Sequence, residues 1–324
     1  MRILGREVLE ALLPPADVIA AVERAFREHA AGRAAALPRG VLSMGRGGFF
    51  LSMVSSLPRL RALGTKLVTV VADNRARGLP TIHANYLLTD SETGAPLALM
   101  EAGFLTAIRT GATSALAARH LARPDSRVAA CFGAGLQARF QLLCLKQVLP
   151  LTEVRVVGRD AGRAARFAER MRGELGIAVR VETSRKAAVQ GADVVTCATT
   201  SPRPVFSGRD LGPGVHVDAV GAFRPTTREV DTLTIRKARV VVDTYEGAWE
   251  EAGDLLIPIK AGAITRRHVR AELADVVTGA RPGRNSPMEI TLFKSVGFAP
   301  EDAVTARLAY DRAVAAGLGT EVRL

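Results

Sequence analysis

The stretch VAACFGAGLQA, residues 128–138, decides how the rest of the chain is read. An apolar run of strand type ends in Gly133-Ala134-Gly135, and a helix-compatible stretch carrying Gln137 and Ala138 follows. This is the strand–turn–helix of a dinucleotide-binding unit. Gly133 permits the tight turn, Gly135 lets the backbone approach a pyrophosphate, and the small residue at 138 lets the helix pack close to the strand. The helix N-terminus then offers free N–H groups and a positive dipole end to the anion.

Downstream of this motif the pattern alternates. Strand 127–132 is followed by helix 136–149, strand 153–157 by helix 161–174, and strand 178–181 by a short helix near 185–190; further strands are expected at 192–197, 215–220 and 238–242. Strands alternating with helices predict a parallel sheet. Residues 246–280 read as helical and irregular pieces, and a last helix is expected over 303–316. Upstream, residues 15–32 read as an amphipathic helix with Val18, Ile19, Val22 and Phe26 on one face. Gly40–Ser43, Gly48–Met53, Gly64–Val71 and Thr81–Thr89 read as β segments of an antiparallel α+β piece. A long helix over 103–122 ends at the break Pro124-Asp125-Ser126, where a second domain begins.

Composition bounds the function classes. A chain of 324 residues with 48% hydrophobic and 23% charged residues is that of a globular protein of about two domains. No apolar run reaches membrane-spanning length, and no membrane partner is expected. The start, MRILGREVLEALL, carries Glu7 and Glu10 and no small-residue cleavage site, which predicts a cytoplasmic protein. Cys131, Cys144 and Cys197 show neither metal nor redox spacing, so no metal site is expected. The net charge of +12 suggests nucleic acid, but the basic residues are spread out, aromatics are only 5%, and no nucleic-acid motif is present, so that partner is not expected. A positive field also draws anionic small molecules, a phosphorylated cofactor among them.

The acidic residue that grips an NAD ribose should end the second strand, about 20 residues past the glycines. Here that strand ends in Gly158-Arg159-Asp160, with Arg163 one turn later. Two guanidinium groups at this place suit a 2′-phosphate, which favours NADP(H) over NAD(H); Asp160 keeps NAD(H) open. A second constellation lies upstream. Lys66 sits inside the β pattern Gly64-Thr65-Lys66-Leu67-Val68, Arg39 follows Pro38 at a strand start, and Arg109-Thr110 interrupt an apolar helix beside small residues. Together these would make a cationic pocket for a carboxylate, with a lysine for proton transfer.

The chain resembles the ornithine cyclodeaminase/mu-crystallin family along nearly its whole length. The matching segments are GTKLV at 64–68, AIRTGATSALAARHLA at 107–122, FGAGLQA at 132–138, VGAFRPTTREVD at 220–231, EAGDLLIP at 251–258 and EITLFKSVGFAPED at 289–302. The resemblance implies an α/β protein: a Rossmann-type doubly wound parallel sheet domain (123–299) inserted in an α+β substrate and dimerisation domain (1–122 plus 300–324), assembled as a homodimer. It implies Lys66 as catalytic lysine, and Arg39, Met53 and Arg109 as substrate-pocket residues. Thr110, Ala134, Leu136, Gln137, Arg159, Thr199 and Val220 match cofactor contacts, beside Gly133, Gly135, Asp160, Arg163 and Lys294.

One departure bears on the subtype. Cyclodeaminases and the alanine dehydrogenase of the family carry an aspartate where this chain reads Gly221-Ala222-Phe223. Phe223 cannot manage the amine and its protons as a carboxylate would, and it offers an apolar wall to a cyclic ring. The resemblance therefore implies reduction of a small cyclic imino acid such as pyrroline-2-carboxylate or piperideine-2-carboxylate, giving proline or pipecolate. The alternatives are an ornithine cyclodeaminase or alanine dehydrogenase, and a non-enzymatic ligand-binding protein of the mu-crystallin kind.

Overall fold

The computed structural model describes residues 1–45 and 47–323, and only the backbone of residues 72 and 75. The chain divides into two compact units. One comprises Met1–Arg109 with Ala299–Leu324, the other Thr110–Phe298. The division falls inside the helix Ala102–Leu121, earlier than the Pro124 break at which a boundary was expected.

The first unit is built on a mostly antiparallel sheet. Phe49–Leu57, Ala62–Val70, Ile82–Thr89 and Pro96–Glu101 pair in succession, and the short strands Ala35–Ala36 and Gly40–Ser43 both pair with Phe49–Leu57. Strand periodicity sends alternate residues to opposite faces. One face is the core: Met53, Ser55 and Leu57, then Ala62, Gly64 and Lys66, then Ala84, Tyr86 and Leu88 are all buried. The register lines up Met53, Lys66, Tyr86 and Met100 as one row across four strands. The final helix, Ala299–Ala316, packs on the three strands that carry the first three of these and on the helix Pro15–Ala30. It begins four residues before the expected position, with Pro300 in its first turn, where a missing N–H costs no hydrogen bond. That places Glu301 and Asp302 inside the helix.

The second unit is an eight-stranded parallel sheet. Its strand order is Ala178–Val181, Glu153–Val157, Val128–Phe132, Val194–Cys197, His216–Ala219, Ile290–Lys294, Ala238–Val242, Val269–Glu272. The first six strands of the expected order fall within a few residues of their predicted places. Two were not anticipated. Ile290–Lys294 enters the middle of the sheet, and Val269–Glu272 forms its edge within a segment read as helical and irregular. Both are short and lie between turns, so periodicity gives little purchase. Helices cover both faces and the interior strands are mostly apolar, as a buried parallel sheet requires; His216, on one of them, is bonded to Thr291 and Asp218. The three cysteines are buried free thiols, as their apolar surroundings suggested.

Gly64 illustrates how tight the first unit's core is. A Cβ there would lie 2.3 Å from the Leu87 carbonyl oxygen and 2.7 Å from the Tyr86 ring. Gly64→Ala is expected to destabilise the protein by about 1–3 kcal/mol, the usual cost of overpacking; a urea unfolding midpoint equal to that of the parent would contradict this packing.

Candidate active site

Lys66 lies at the middle of its strand, 2% exposed, with its amine 2.6 Å from Asp302 Oδ2. The other oxygen of the same carboxylate, Oδ1, accepts from Arg109 Nε at 3.0 Å, and Arg109 Nη1 donates to Glu301 Oε2 at 2.6 Å. Two cations and two carboxylates therefore form one buried, charge-balanced network within the first unit. The four members come from three places: a strand row, the last residue of the unit's share of a long helix, and, for both acids, the first turn of the final helix. The two acidic residues also meet the positive end of that helix.

This environment sets the protonation of the lysine. Burial penalises the ammonium, and the charges of Arg109 and Arg39 add to the penalty; the Asp302 carboxylate opposes them, and the amine ends lowered to about 8. Burial alone would raise Asp302, but the Arg109 and Lys66 charges hold its carboxyl below the ordinary value. The Tyr86 hydroxyl, next to Lys66 in the row, is pushed well up by burial and by the Asp302 charge, so it remains protonated. Met53 lies opposite Lys66 on the other side, buried. Arg39 is half-buried. Arg39, Met53 and Arg109, singled out from the sequence, thus fall around the Lys66 amine. Glu301 and Asp302 were quoted in a motif but given no role. The available signal was two adjacent acids in the first turn of an alanine-rich apolar helix.

In the second unit the glycine turn lies at the carboxyl end of Val128–Phe132, between strands whose connections run in opposite directions across the sheet; ligands of open α/β sheets bind at such a switch point. Gly133 has φ +120°, and a Cβ on it would approach the Ala198 carbonyl oxygen to 2.5 Å. Gly135 caps the helix Leu136–Val148 without a side-chain capping hydrogen bond, so the positive end of that helix faces the turn. A dinucleotide pyrophosphate fits this cradle. Thr199 and Val220 follow the carboxyl ends of the two neighbouring strands, on the same side of the sheet.

These walls are held by a carboxylate that sequence reading passed over. Glu229, fully buried, accepts from Thr199 N at 2.6 Å and Thr199 Oγ1 at 2.7 Å through one oxygen, and from Gly221 N at 2.6 Å and Ala222 N at 3.1 Å through the other. Burial, with the nearby Asp254 charge, pushes its carboxyl up. Asp254 in turn accepts from Glu229 N and Val230 N.

The structure places the other candidates one by one. Lys294 was expected at the cofactor; it is fully buried, ion-paired with Asp254 at 2.9 Å, and bonded to the carbonyls of Ala219 and Ala222. Its amine thereby holds the strand end. Asp160 was expected as a cofactor contact; its carboxylate accepts from Arg163 N at 2.6 Å and caps the helix Ala161–Leu175. Arg163 Nε donates to the Ala134 carbonyl at 3.0 Å, which puts this guanidinium against the glycine turn. Arg159 is exposed, and at Gly158 a Cβ would lie 2.9 Å from Ala164 Cβ, so no acidic side chain fits there without displacement. Thr110 is nearly buried, its carbonyl accepting from Gln141 Nε2 at 3.3 Å. Leu136 is exposed, and Ala134 and Gln137 are partly so. Phe223 is 38% exposed, with the Arg224 guanidinium 5.9 Å from its ring centre.

A nucleotide-binding parallel unit, joined in one chain to a unit holding a buried lysine, is the plan of a pyridine-nucleotide oxidoreductase. The chain belongs to the ornithine cyclodeaminase/mu-crystallin family, whose model matches residues 3–317. It is 38% identical over 308 residues to the Delta(1)-pyrroline-2-carboxylate reductase of Bacillus thuringiensis subsp. konkukian, covering 94% of both chains. The structure of Thermococcus litoralis Delta(1)-pyrroline-2-carboxylate reductase in complex with NADH and L-proline is similar over 99% of this chain and 100% of that one, with a TM-score of 0.97 and 44% identity. An archaeal alanine dehydrogenase dimer with bound NAD is similar over 100% and 99%, with a TM-score of 0.94 and 34% identity.

The Lys66–Asp302 contact makes a directional prediction. The carboxylate favours the ammonium, so Asp302→Asn should move the lysine's titration from about 8 to lower pH. NMR titration of labelled lysine amines checks the sign, and an upward or absent shift would refute the coupling.

Proposed function

We propose that this protein reduces a small cyclic imino acid, pyrroline-2-carboxylate or its six-membered homologue, at the expense of NAD(P)H. The observation that carries the reading is the buried Lys66 amine, tuned to about 8 and fixed by Asp302. The relatives named as pyrroline-2-carboxylate reductases support it. A bound dihydronicotinamide supplies the hydride to the imine carbon; the chain supplies the rest. Lys66 delivers the proton that keeps the C=N bond electrophilic and that ends on the amine nitrogen. Arg39 adds a positive charge beside this balanced network for the substrate carboxylate, next to Arg109, which Glu301 and Asp302 orient. Phe223 stands where cyclodeaminases and the family's alanine dehydrogenase have a carboxylate, which favours imine reduction over amino-acid chemistry.

Purified protein should consume reduced cofactor with pyrroline-2-carboxylate and yield proline. Failure with every small imino and keto acid, cofactor demonstrably bound, would overturn the reading. Lys66→Ala should lower turnover by about 10²–10⁴-fold while sparing cofactor binding. Because the acid form is the ammonium, reduction should fall as pH rises through about 8. A flat profile to higher pH would remove the lysine from the proton's path.

For the cofactor, we infer a preference for NADP(H). Arg159 is exposed beside a strand end with no room for the ribose-binding acid, and Arg163 lies near the same turn. Arg159→Ala should weaken NADPH about tenfold and leave NADH within twofold, the scale of one charged hydrogen bond. Equal losses would reject the 2′-phosphate assignment.

We further propose a homodimer joined through the first unit's sheet. Leu37, Val41, Leu42 and Met44 are exposed in and beside the strands Ala35–Ala36 and Gly40–Ser43, a concentration of apolar surface that isolated monomers rarely show. Val41→Asp with Leu42→Asp should halve the mass seen by light scattering; an unchanged mass would place the interface elsewhere.

A further inference from the structure

The second unit gathers cations at the edge of its sheet, around Arg239 and Arg270 and as far as Tyr245, which follows the carboxyl end of Ala238–Val242. Arg239 and Arg270 are second residues of their strands, at the amino ends of a parallel sheet whose carboxyl ends carry Gly133 and Gly135. Two adjoining hollows, about 520 and 440 Å³, share Arg239, Arg270 and Asn285. The first also takes Arg267 and Arg281, the second Arg236 and Glu289.

Many exposed arginines elsewhere carry their own carboxylate: Arg6 has Glu10, Arg27 has Glu23, Arg33 has Glu28 and Arg170 has Glu174. Arg236, Arg267, Arg270 and Arg281 form no ion pair among the described residues. Arg239 donates Nε and Nη2 to the Pro282 carbonyl at 3.2 and 2.9 Å, which fixes its plane without cancelling its charge. The acidic lining residue, Glu289, accepts from Asn285 N at 2.7 Å and Asn285 Nδ2 at 3.4 Å. The nearby Glu272 and Asp275 are engaged in the capping box of the helix Leu273–Thr278.

Five arginines around one lining carboxylate leave an excess of positive charge, which destabilises the fold by self-repulsion. A bound anion relieves that cost, and the planar fork of arginine matches phosphate oxygens. We propose that this groove is a binding site for a small ligand bearing two or more linked phosphates, spanning both hollows. The ligand is a bare polyphosphate or the tail of a nucleotide.

Calorimetry at constant ionic strength tests this with inorganic triphosphate and with a nucleoside triphosphate. Arg267→Glu/Arg270→Glu, and the milder Arg267→Gln/Arg270→Gln, should each lower triphosphate affinity at least tenfold. Turnover without triphosphate should be unchanged. Arg159→Ala/Arg163→Ala, at the opposite end of the sheet, should retain affinity within twofold. A nucleotide binding tenfold tighter than triphosphate would identify the nucleotide as the source; equal affinities would identify the phosphate chain. Unchanged affinity in both groove variants, loss confined to the Arg159/Arg163 variant, or displacement of triphosphate by duplex RNA at a lower concentration than by nucleotide would overturn the proposal.

Discussion

The ion pair between Lys66 and Asp302 is the constraint on which the first unit depends. Removing charges from water is expensive, and their mutual attraction repays it only when every member is paired with good geometry. Here Asp302 spends one oxygen on the lysine and the other on Arg109, and Glu301 meets the remaining positive charge of that arginine. Deleting one partner would strand an opposite charge in the core, at about 3–5 kcal/mol. The final helix is therefore required twice: it closes the apolar face of the sheet, and it carries the acids that make a buried ammonium tolerable. Stability and proton chemistry rest on the same residues.

The second unit solves a different problem, the rigid placement of loops at one end of a sheet. Loop backbone near the sheet would leave polar groups unsatisfied. Glu229 collects four donors from two such loops, Asp254 takes two more, and Lys294 pairs with Asp254. The glycines at 133 and 221 are small because the neighbouring backbone comes that close; a Cβ on Gly221 would lie 2.3 Å from the Thr199 carbonyl oxygen. The surface offered to a cofactor is thus preformed by hydrogen bonds invisible from its own side.

Much of this was legible in the sequence where the signal is local. Glycine spacing, alternation of apolar residues and helix breaks gave the parallel sheet around Val128–Phe132 and the antiparallel strands around Lys66. Resemblance to a family brought Arg39, Met53 and Arg109 to the same place. What could not be read was pairing at long separation. Asp302 is an ordinary helix-start acid until a lysine from a distant strand is found against it. Lys294 is a cation in a conspicuous motif, and its pairing with a buried Asp254 was not visible in it. Asp160 also obeys a local rule, helix capping. Short strands such as Val269–Glu272 take their identity from neighbours in the sheet, not from their own pattern.

The position of Ile290–Lys294 has a consequence for how the chain comes together. It is the latest strand of the second unit to be made, yet it lies between His216–Ala219 and Ala238–Val242, which do not pair with each other. Until residue 294 has emerged during synthesis, the nascent sheet exists as two separate ribbons with raw inner margins. Such margins can capture a stranger's strand. The fold thus has a vulnerable interval, ended by five residues that join the halves.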